Sequence, residues 1–326
     1  MHRILSAMAV LLLASATPVT GRAEALLKDL VVRLTRPPDI KAETGFRAKL
    51  LVPPGQLYDP LMLLLVGEAV WLNDDGGEEH DKGSRLLALD RRGGITVLAG
   101  LGKLMPTVGF DLAPAGFGAY AGQVFSLAQP KVAEPGALAN HIVQRSEPAR
   151  GFATSVFCTL PDAGQKKIPG FGLDAHFGPS GSPFANRLFV VTIYNDAIYQ
   201  VKADGTCTPF VVFDGKVAAQ PLYRGPGKPM GMDFAPPGFG AFGGQLFFAE
   251  IGQFQIPVQM TQPLLADGKV YRLTPAGKAI WVASGLVNPI GLRFVRDQLW
   301  VSDINGDFIT GRRELPDGFV VVMEAK

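Results

Sequence analysis

The chain has 326 residues, 47% hydrophobic and 18% charged, with 31 Lys+Arg against 29 Asp+Glu and a net charge of +2. This balance excludes a disordered tail, which needs fewer apolar residues and more net charge. It also excludes a dedicated nucleic-acid binder, which needs a basic excess to offset phosphates.

Residues 1–25 (MHRILSAMAVLLLASATPVTGRAEA) read as a signal peptide: Arg3 supplies the positive start, 4–14 is a short apolar run, and Ala23-Glu24-Ala25 is a cleavage site, with Ala14-Ser15-Ala16 as an earlier one. The run is shorter than the roughly 20 residues of a spanning helix, an uncleaved anchor being the alternative. No later stretch offers a membrane span. The expected mature protein is one domain, 26–326, in the periplasm or outside the cell.

The next segment, 46–52, alternates as a strand and precedes five repeats. Residues 109–125 (GFDLAPAGFGAYAGQVF) and 231–247 (GMDFAPPGFGAFGGQLF) are identical at 11 of 17 positions. Weaker copies start at 62, 172 and 291, so the starts at 62, 109, 172, 231 and 291 are 47, 63, 59 and 60 residues apart. In the fourth copy, four alternating runs (232–235, 245–250, 269–274 and 279–284) are separated by Gly/Pro turns. Four-stranded units at this spacing, without helical periodicity, predict an all-β fold, a β-propeller of five blades, with six as the alternative. After Trp300 only 319–324 reads as a strand, so 46–52 is expected to complete the last blade and close the ring. Cys158 and Cys207 fall near opposite ends of neighbouring outer strands, a placement that disfavours a bond and leaves their pairing open.

Gly45-Phe46-Arg47-Ala48-Lys49-Leu50-Leu51-Val52 with Asp59-Pro60 resembles the first blade of the glucose/sorbosone dehydrogenase propellers. Ala283-Ser284-Gly285-Leu286-Val287-Asn288-Pro289-Ile290-Gly291-Leu292 resembles the same family's ASGLRNPxGL stretch. NHL-type and gluconolactonase-like propellers share much of the patterning. The resemblance implies a propeller with a sugar-like ligand, and pyrroloquinoline quinone in the dehydrogenase branch. Quinone-using relatives carry Arg where this chain has Val287, and a catalytic His in a central loop. Here His80, His141 and His176 follow the signal segment, none in a copy of that motif, which speaks against the quinone. Gluconolactonase-like propellers hold a central metal with Asp or Asn before the inner-strand Gly, where this chain has Leu61, Val108, Phe171, Met230 and Ile290.

Two sets of polar residues stand out. Asp111, Asp174 and Asp233 recur two residues after the inner-strand Gly and read as acceptors for backbone N–H groups, with Arg293 breaking the pattern as a candidate for ion pairing, ligand contact or catalysis. At the end of the second strand, Asp74, Glu250 and Asp303 belong to neighbouring blades and would form an acidic arc for Ca²⁺ or another divalent cation, with Asn73, Asp75, Asn195 and Asn305 adding oxygens. The alternative is that each acid caps the turn following its strand. His80 is a weak candidate ligand or base beside the arc, while His176 reads as structural, in the loop between the first two strands of its blade on the opposite face. Unequal loops at 74–81, 251–267 and 304–318 would frame a pocket for a small polar molecule. Three readings follow: a propeller that binds, and as a dehydrogenase-like oxidoreductase oxidises, a small sugar-like molecule; a cation-dependent lactonase-like hydrolase; or a non-catalytic recognition propeller for a protein or glycan.

Overall fold

The computed structural model describes residues 39–74, 84–102, 109–128, 141–151, 153–162, 171–193, 196–213, 229–251, 268–305 and 316–326. The expected signal peptide lies outside these residues, as do Asp75, His80 and Asn195. Among the described residues no helix is long and apolar enough to cross a membrane.

The chain enters through β1 (Lys41–Ala42) and β2 (Phe46–Leu57). Blade 1 is β3 (Pro60–Val66), β4 (Ala69–Asp74), β5 (Ser84–Leu89) and β6 (Ile95–Gly102); blade 2 is β7 (Phe110–Leu112), β8 (Val124–Ala128), β9 (Ile142–Glu147) and β10 (Ala153–Thr159). Blade 3 follows as β11 (Phe171–Phe177), β12 (Leu188–Ile193), β13 (Ala197–Val201) and β14 (Cys207–Val212). Blade 4 is β15 (Pro229–Phe234), β16 (Leu246–Glu250), β17 (Gly268–Leu273) and β18 (Ala279–Leu286), and blade 5 opens with β19 (Pro289–Val295), β20 (Gln298–Asp303) and β21 (Gly318–Ala325). Each sheet is an antiparallel meander, and β2 pairs with β21 as the outer strand of blade 5, so the two ends of the chain close one blade as the alternating run at 46–52 predicts. β1 covers the outer edge of blade 4 through β18, which hides ladder groups that an open edge would expose. The five four-stranded sheets form a β-propeller.

Strand alternation explains the packing. In β8, β12, β16 and β20 the aromatic residue faces the following blade, and the residues beside it in sequence face the preceding one. Three seams hold the same trio, one ring from a turn, one from the second strand and one from the next blade's inner strand. These are Phe117, Phe125 and Phe177; Phe184, Phe189 and Phe234; and Phe239, Phe247 and Phe294, with ring centroids between 4.8 and 5.7 Å apart within each trio. Between blades 5 and 1 a fully buried Trp300 packs with Leu63, Val70 and Leu72. Aromatic contacts of this kind add to the area each ring removes from water.

Cys158 and Cys207 form a disulfide, with Cα atoms 6.3 Å apart, from the outer strand of blade 2 to that of blade 3. The expectation that opposite strand ends hold them apart neglects twist. Successive strands rotate by roughly 20–25°, so three steps turn an outer strand across the axis. The end of one outer strand then meets the start of the next.

Candidate functional site at the propeller axis

The inner strands are crowded against one another. A Cβ on Gly231 would fall on the Ile290 carbonyl, and one on Gly109 would fall on the Asp174 carboxylate. Glycine at these two places lets neighbouring backbones and that carboxylate share the axis.

Pairing to the second strand defines the axial ring. Leu64 pairs with Trp71, Asp111 with Phe125, His176 with Phe189, Asp233 with Phe247 and Arg293 with Trp300. His176 is therefore an inner-strand residue on the axis, not a loop residue on the other face, and it takes the place that the repeat alignment assigns to Asp174. The correction is a slip of two residues in blade 3. A shift of two keeps every side chain on its original face, so the hydrophobic pattern alone does not reveal it. In this register Asp174 occupies the position of the inner-strand Gly, and Gly109 is what makes room for it.

The aspartates staple one blade to the next. Asp111 accepts the Phe177 N–H at 2.8 Å, Asp174 the Met232 N–H at 3.0 Å, and Asp233 the Phe294 N–H at 2.8 Å, so blades 2 to 3, 3 to 4 and 4 to 5 are each bridged. Each also accepts the N–H of its own following residue, Leu112, Ala175 or Phe234. Hydrogen bonds to a charged group contribute about 1.5–3 kcal/mol each. Arg293 continues the series with inverted polarity, Nε donating to the Leu63 carbonyl of blade 1 at 3.2 Å. The series stops at Leu64, which has no charge to pass on to blade 2.

Charges alternate around the ring from Asp111 through His176 and Asp233 to Arg293. His176 Nε2 lies 3.0 Å from Asp174 Oδ1 and Nδ1 lies 3.6 Å from Asp111 Oδ2, while Arg293 Nη1 is 3.2 Å from Nδ1 and 3.6 Å from Asp233 Oδ2. Burial and the adjacent guanidinium oppose a charge on the imidazole, but Asp174 and Asp111 outweigh them and push its pKa up to about 9. The two acids thus favour the protonated imidazole, while Arg293, with Nη1 facing Nδ1, opposes it. Burial likewise opposes the charges of Asp111 and Asp174, yet His176 with the backbone donors keeps both below the ordinary Asp value, Arg293 adding to the effect at Asp174.

The ring forms the floor of an open cavity of about 370 Å³, whose walls include Leu64, Leu65, Phe110, Leu112, Val124 and Phe294. Pockets of roughly 300–1,000 Å³ hold small organic ligands. Arg293 Nη2 donates to none of the described residues, and the carboxylates of Asp111 and Asp233 keep acceptor capacity beyond their backbone bonds. The symmetry break at Arg293 is thus at the floor of the site. His176, missed in sequence, carries its own signal: polar at the fourth residue after Gly172, where the other copies have Ala113, Ala235 and Val295.

The expected acidic arc has a different geometry. Asp74 shares a strand face with Leu72, Glu250 with Phe248 and Asp303 with Val301, so each points into the seam with its preceding blade. They therefore enter three separate seams. Among the described residues no three of His, Cys, Asp and Glu come together to hold a metal. Asp74 is fully buried, accepts the Tyr58 N–H at 3.0 Å and takes Nε and Nη2 of Arg85 at 2.8 and 2.6 Å. Asp303 accepts N–H bonds from Val287, Asn288 and Asn305 at 2.8, 2.9 and 2.7 Å. Its burial nevertheless pushes the carboxyl up to about 6 against the pull of those three donors. Both acids accept from the turn that leads into a blade, Asp74 from Tyr58 before β3 and Asp303 from Val287 and Asn288 before β19. Asn305 belongs to the same buried network, its Nδ2 donating to the Asp317 carbonyl, while Asn73 lies on the opposite face of β4 from Asp74. Asp74 and Asp303 thus direct their oxygens at protein donors and do not fit a cation's ligand set. Nor does the axial ring fit pyrroloquinoline quinone, a tricarboxylate: Asp111 and Asp233, with Asp174 beside them, stand against one guanidinium and one imidazole.

No protein-family model matches the chain, and no curated protein matches its sequence. Among solved structures, an aldose sugar dehydrogenase from Streptomyces coelicolor, in its PQQ-bound form, is 15% identical with a TM-score of 0.40, the alignment covering 88% of this chain and 100% of that one. A glucose dehydrogenase-type protein from Thermus thermophilus is 17% identical with a TM-score of 0.39, covering 86% and 100%. A virginiamycin B lyase from Staphylococcus aureus is 14% identical with a TM-score of 0.42, also covering 86% and 100%. The chain's own strand pairing, with β2 and β21 joined in blade 5, establishes it as a five-bladed β-propeller.

Proposed function

We propose that this propeller works outside the cytoplasm and binds a small, hydroxyl-bearing, sugar-like molecule at its axis. The observation that carries the reading is the register ring of Asp111, His176, Asp233 and Arg293 at the floor of the cavity. A polyol matches such a ring because each hydroxyl both accepts from Arg293 and donates to an aspartate. The acids beside His176 favour its protonated form, a donor and not a general base, which favours recognition over proton abstraction. The disulfide between blades 2 and 3 supports an oxidising compartment.

The test is calorimetric titration of the purified protein with neutral monosaccharides, uronic acids and linear polyols, repeated with Arg293→Met. The expected result is saturable binding of at least one class. Arg293→Met should weaken it about 10- to 100-fold, as fits the loss of a charge-assisted hydrogen bond of about 1.5–3 kcal/mol. A folded protein that binds none of the three classes overturns the reading.

A further inference from the structure

The seam between blades 1 and 2 is built unlike the other four. Buried apolar clusters fill the seams between blades 2 and 3, 3 and 4, 4 and 5, and 5 and 1, while among the described residues none joins blade 1 to blade 2. Among the described residues no axial staple crosses it either, because Leu64 stands where the other blades carry a charged or ionisable residue. Its walls are apolar all the same. Leu64 of blade 1 is 39% exposed, and Phe110 and Leu112 of blade 2 are 47% and 56% exposed. These three side chains line the same cavity as Asp111, His176, Asp233 and Arg293. One continuous cavity therefore has a charged end at the axis and an apolar end in the open seam. Exposed apolar side chains gathered on one surface mark contact sites.

Building on the axial reading above, we infer that the ligand is amphipathic: a hydroxyl-bearing head on the Arg293 ring, joined to an aryl or short alkyl group that lies between Leu64 on one side and Phe110 and Leu112 on the other. Continuity with the ring selects this occupant. An apolar group in the seam stays within bonding reach of its own polar head, whereas a free monosaccharide would leave the leucines and phenylalanine wet.

The experiment compares matched methyl and phenyl glycosides of glucose, galactose and mannose by calorimetry, on the unaltered protein, Arg293→Met, Leu64→Ser and Phe110→Ser. Leu64 and Phe110 are exposed enough for the serine variants to fold, which circular dichroism checks. The expected result is a phenyl glycoside binding about tenfold or more tighter than its methyl partner, in line with the burial of an aromatic ring. Leu64→Ser and Phe110→Ser should abolish that gain, so that on each variant the phenyl glycoside binds no tighter than its methyl partner, while Arg293→Met weakens both members of the pair alike. Equal affinity for phenyl and methyl glycosides overturns the amphipathic ligand and leaves the axial site standing. Binding of neither overturns both. A phenyl gain that survives both serine variants, or a dimer that Leu64→Ser disperses in sedimentation, also overturns the proposal, since the apolar group or the cover of the seam then lies elsewhere.

Discussion

The seam between blades 4 and 5 and the seam between blades 1 and 2 begin from the same strand geometry and end differently. In the first, Phe239, Phe247 and Phe294 interlock, and the Asp233 carboxylate crosses to the Phe294 N–H. In the second, Trp71 and Leu112 hold the equivalent places of Phe247 and Phe294, Leu64 replaces the aspartate, and Leu112 stays 56% exposed. The difference shows how a repeat protein separates tasks. Where turn aromatic, second-strand aromatic and stapling acid are all present, the seam is scaffold. Between blades 1 and 2, where among the described residues Trp71 has neither a turn aromatic nor a stapling acid beside it, the same architecture opens into the axial cavity.

Substituting one phenylalanine in each seam sharpens the contrast most. Phe247→Ala empties a fully buried site and is expected to cost about 3–5 kcal/mol, whereas Phe110→Ala, about half exposed, should cost under about 1 kcal/mol; urea unfolding of both proteins measures the gap. Asp174→Ala should fall in the upper range as well, about 3–5 kcal/mol, because it leaves His176 buried without its nearest acid.

The disulfide offers a second comparison. It ties blade 2 to blade 3 outside a seam already packed by Phe117, Phe125 and Phe177. Cys158→Ser with Cys207→Ser is expected to lower stability by about 2–4 kcal/mol while the near-ultraviolet circular dichroism of the aromatic trio is retained. Loss of that signal would show that the covalent tie, not ring packing, holds the seam.

Acidity probes the axial ring by itself. The folded-state pKa of His176 lies above its usual value, at about 9, so its stabilising effect is complete below about pH 6.5 and disappears as pH rises through about 9. Unfolding free energy should drop across that window by on the order of 3 kcal/mol, and His176→Asn should flatten the profile. Asp303 acts in a different window. Its raised folded-state pKa makes stability fall as pH rises from about 4 to about 6, and it contributes no slope above that. The smallest effect belongs to the open seam: Leu64→Ser should change stability by no more than about 0.5 kcal/mol, read from the same denaturation curves.

Much of this molecule was legible before folding. Gly and Pro punctuation, the 11 identities between 109–125 and 231–247, and the single strand left after Trp300 sufficed for five blades closed by 46–52. These are local signals, since turn chemistry and period-two alternation depend on neighbours in sequence. The recurring aspartates were legible as backbone acceptors for the same reason. The blade each one reaches was not, because the acceptor and its donor sit in different repeats, far apart along the chain.

Tertiary structure alone decided three matters. Register placed His176 on the axis, since a two-residue slip conserves the inward and outward faces and leaves no trace in hydrophobicity. Twist brought Cys158 to Cys207 by turning outer strands across the axis. Alternation within the second strands sent Asp74, Glu250 and Asp303 into three different seams, although equal positions in the repeat suggest one shared face. The amino-acid order determines which strands exist and which of their faces are apolar; only closure of the ring determines which polar side chains meet, because those contacts form between strands that sequence proximity never brings together.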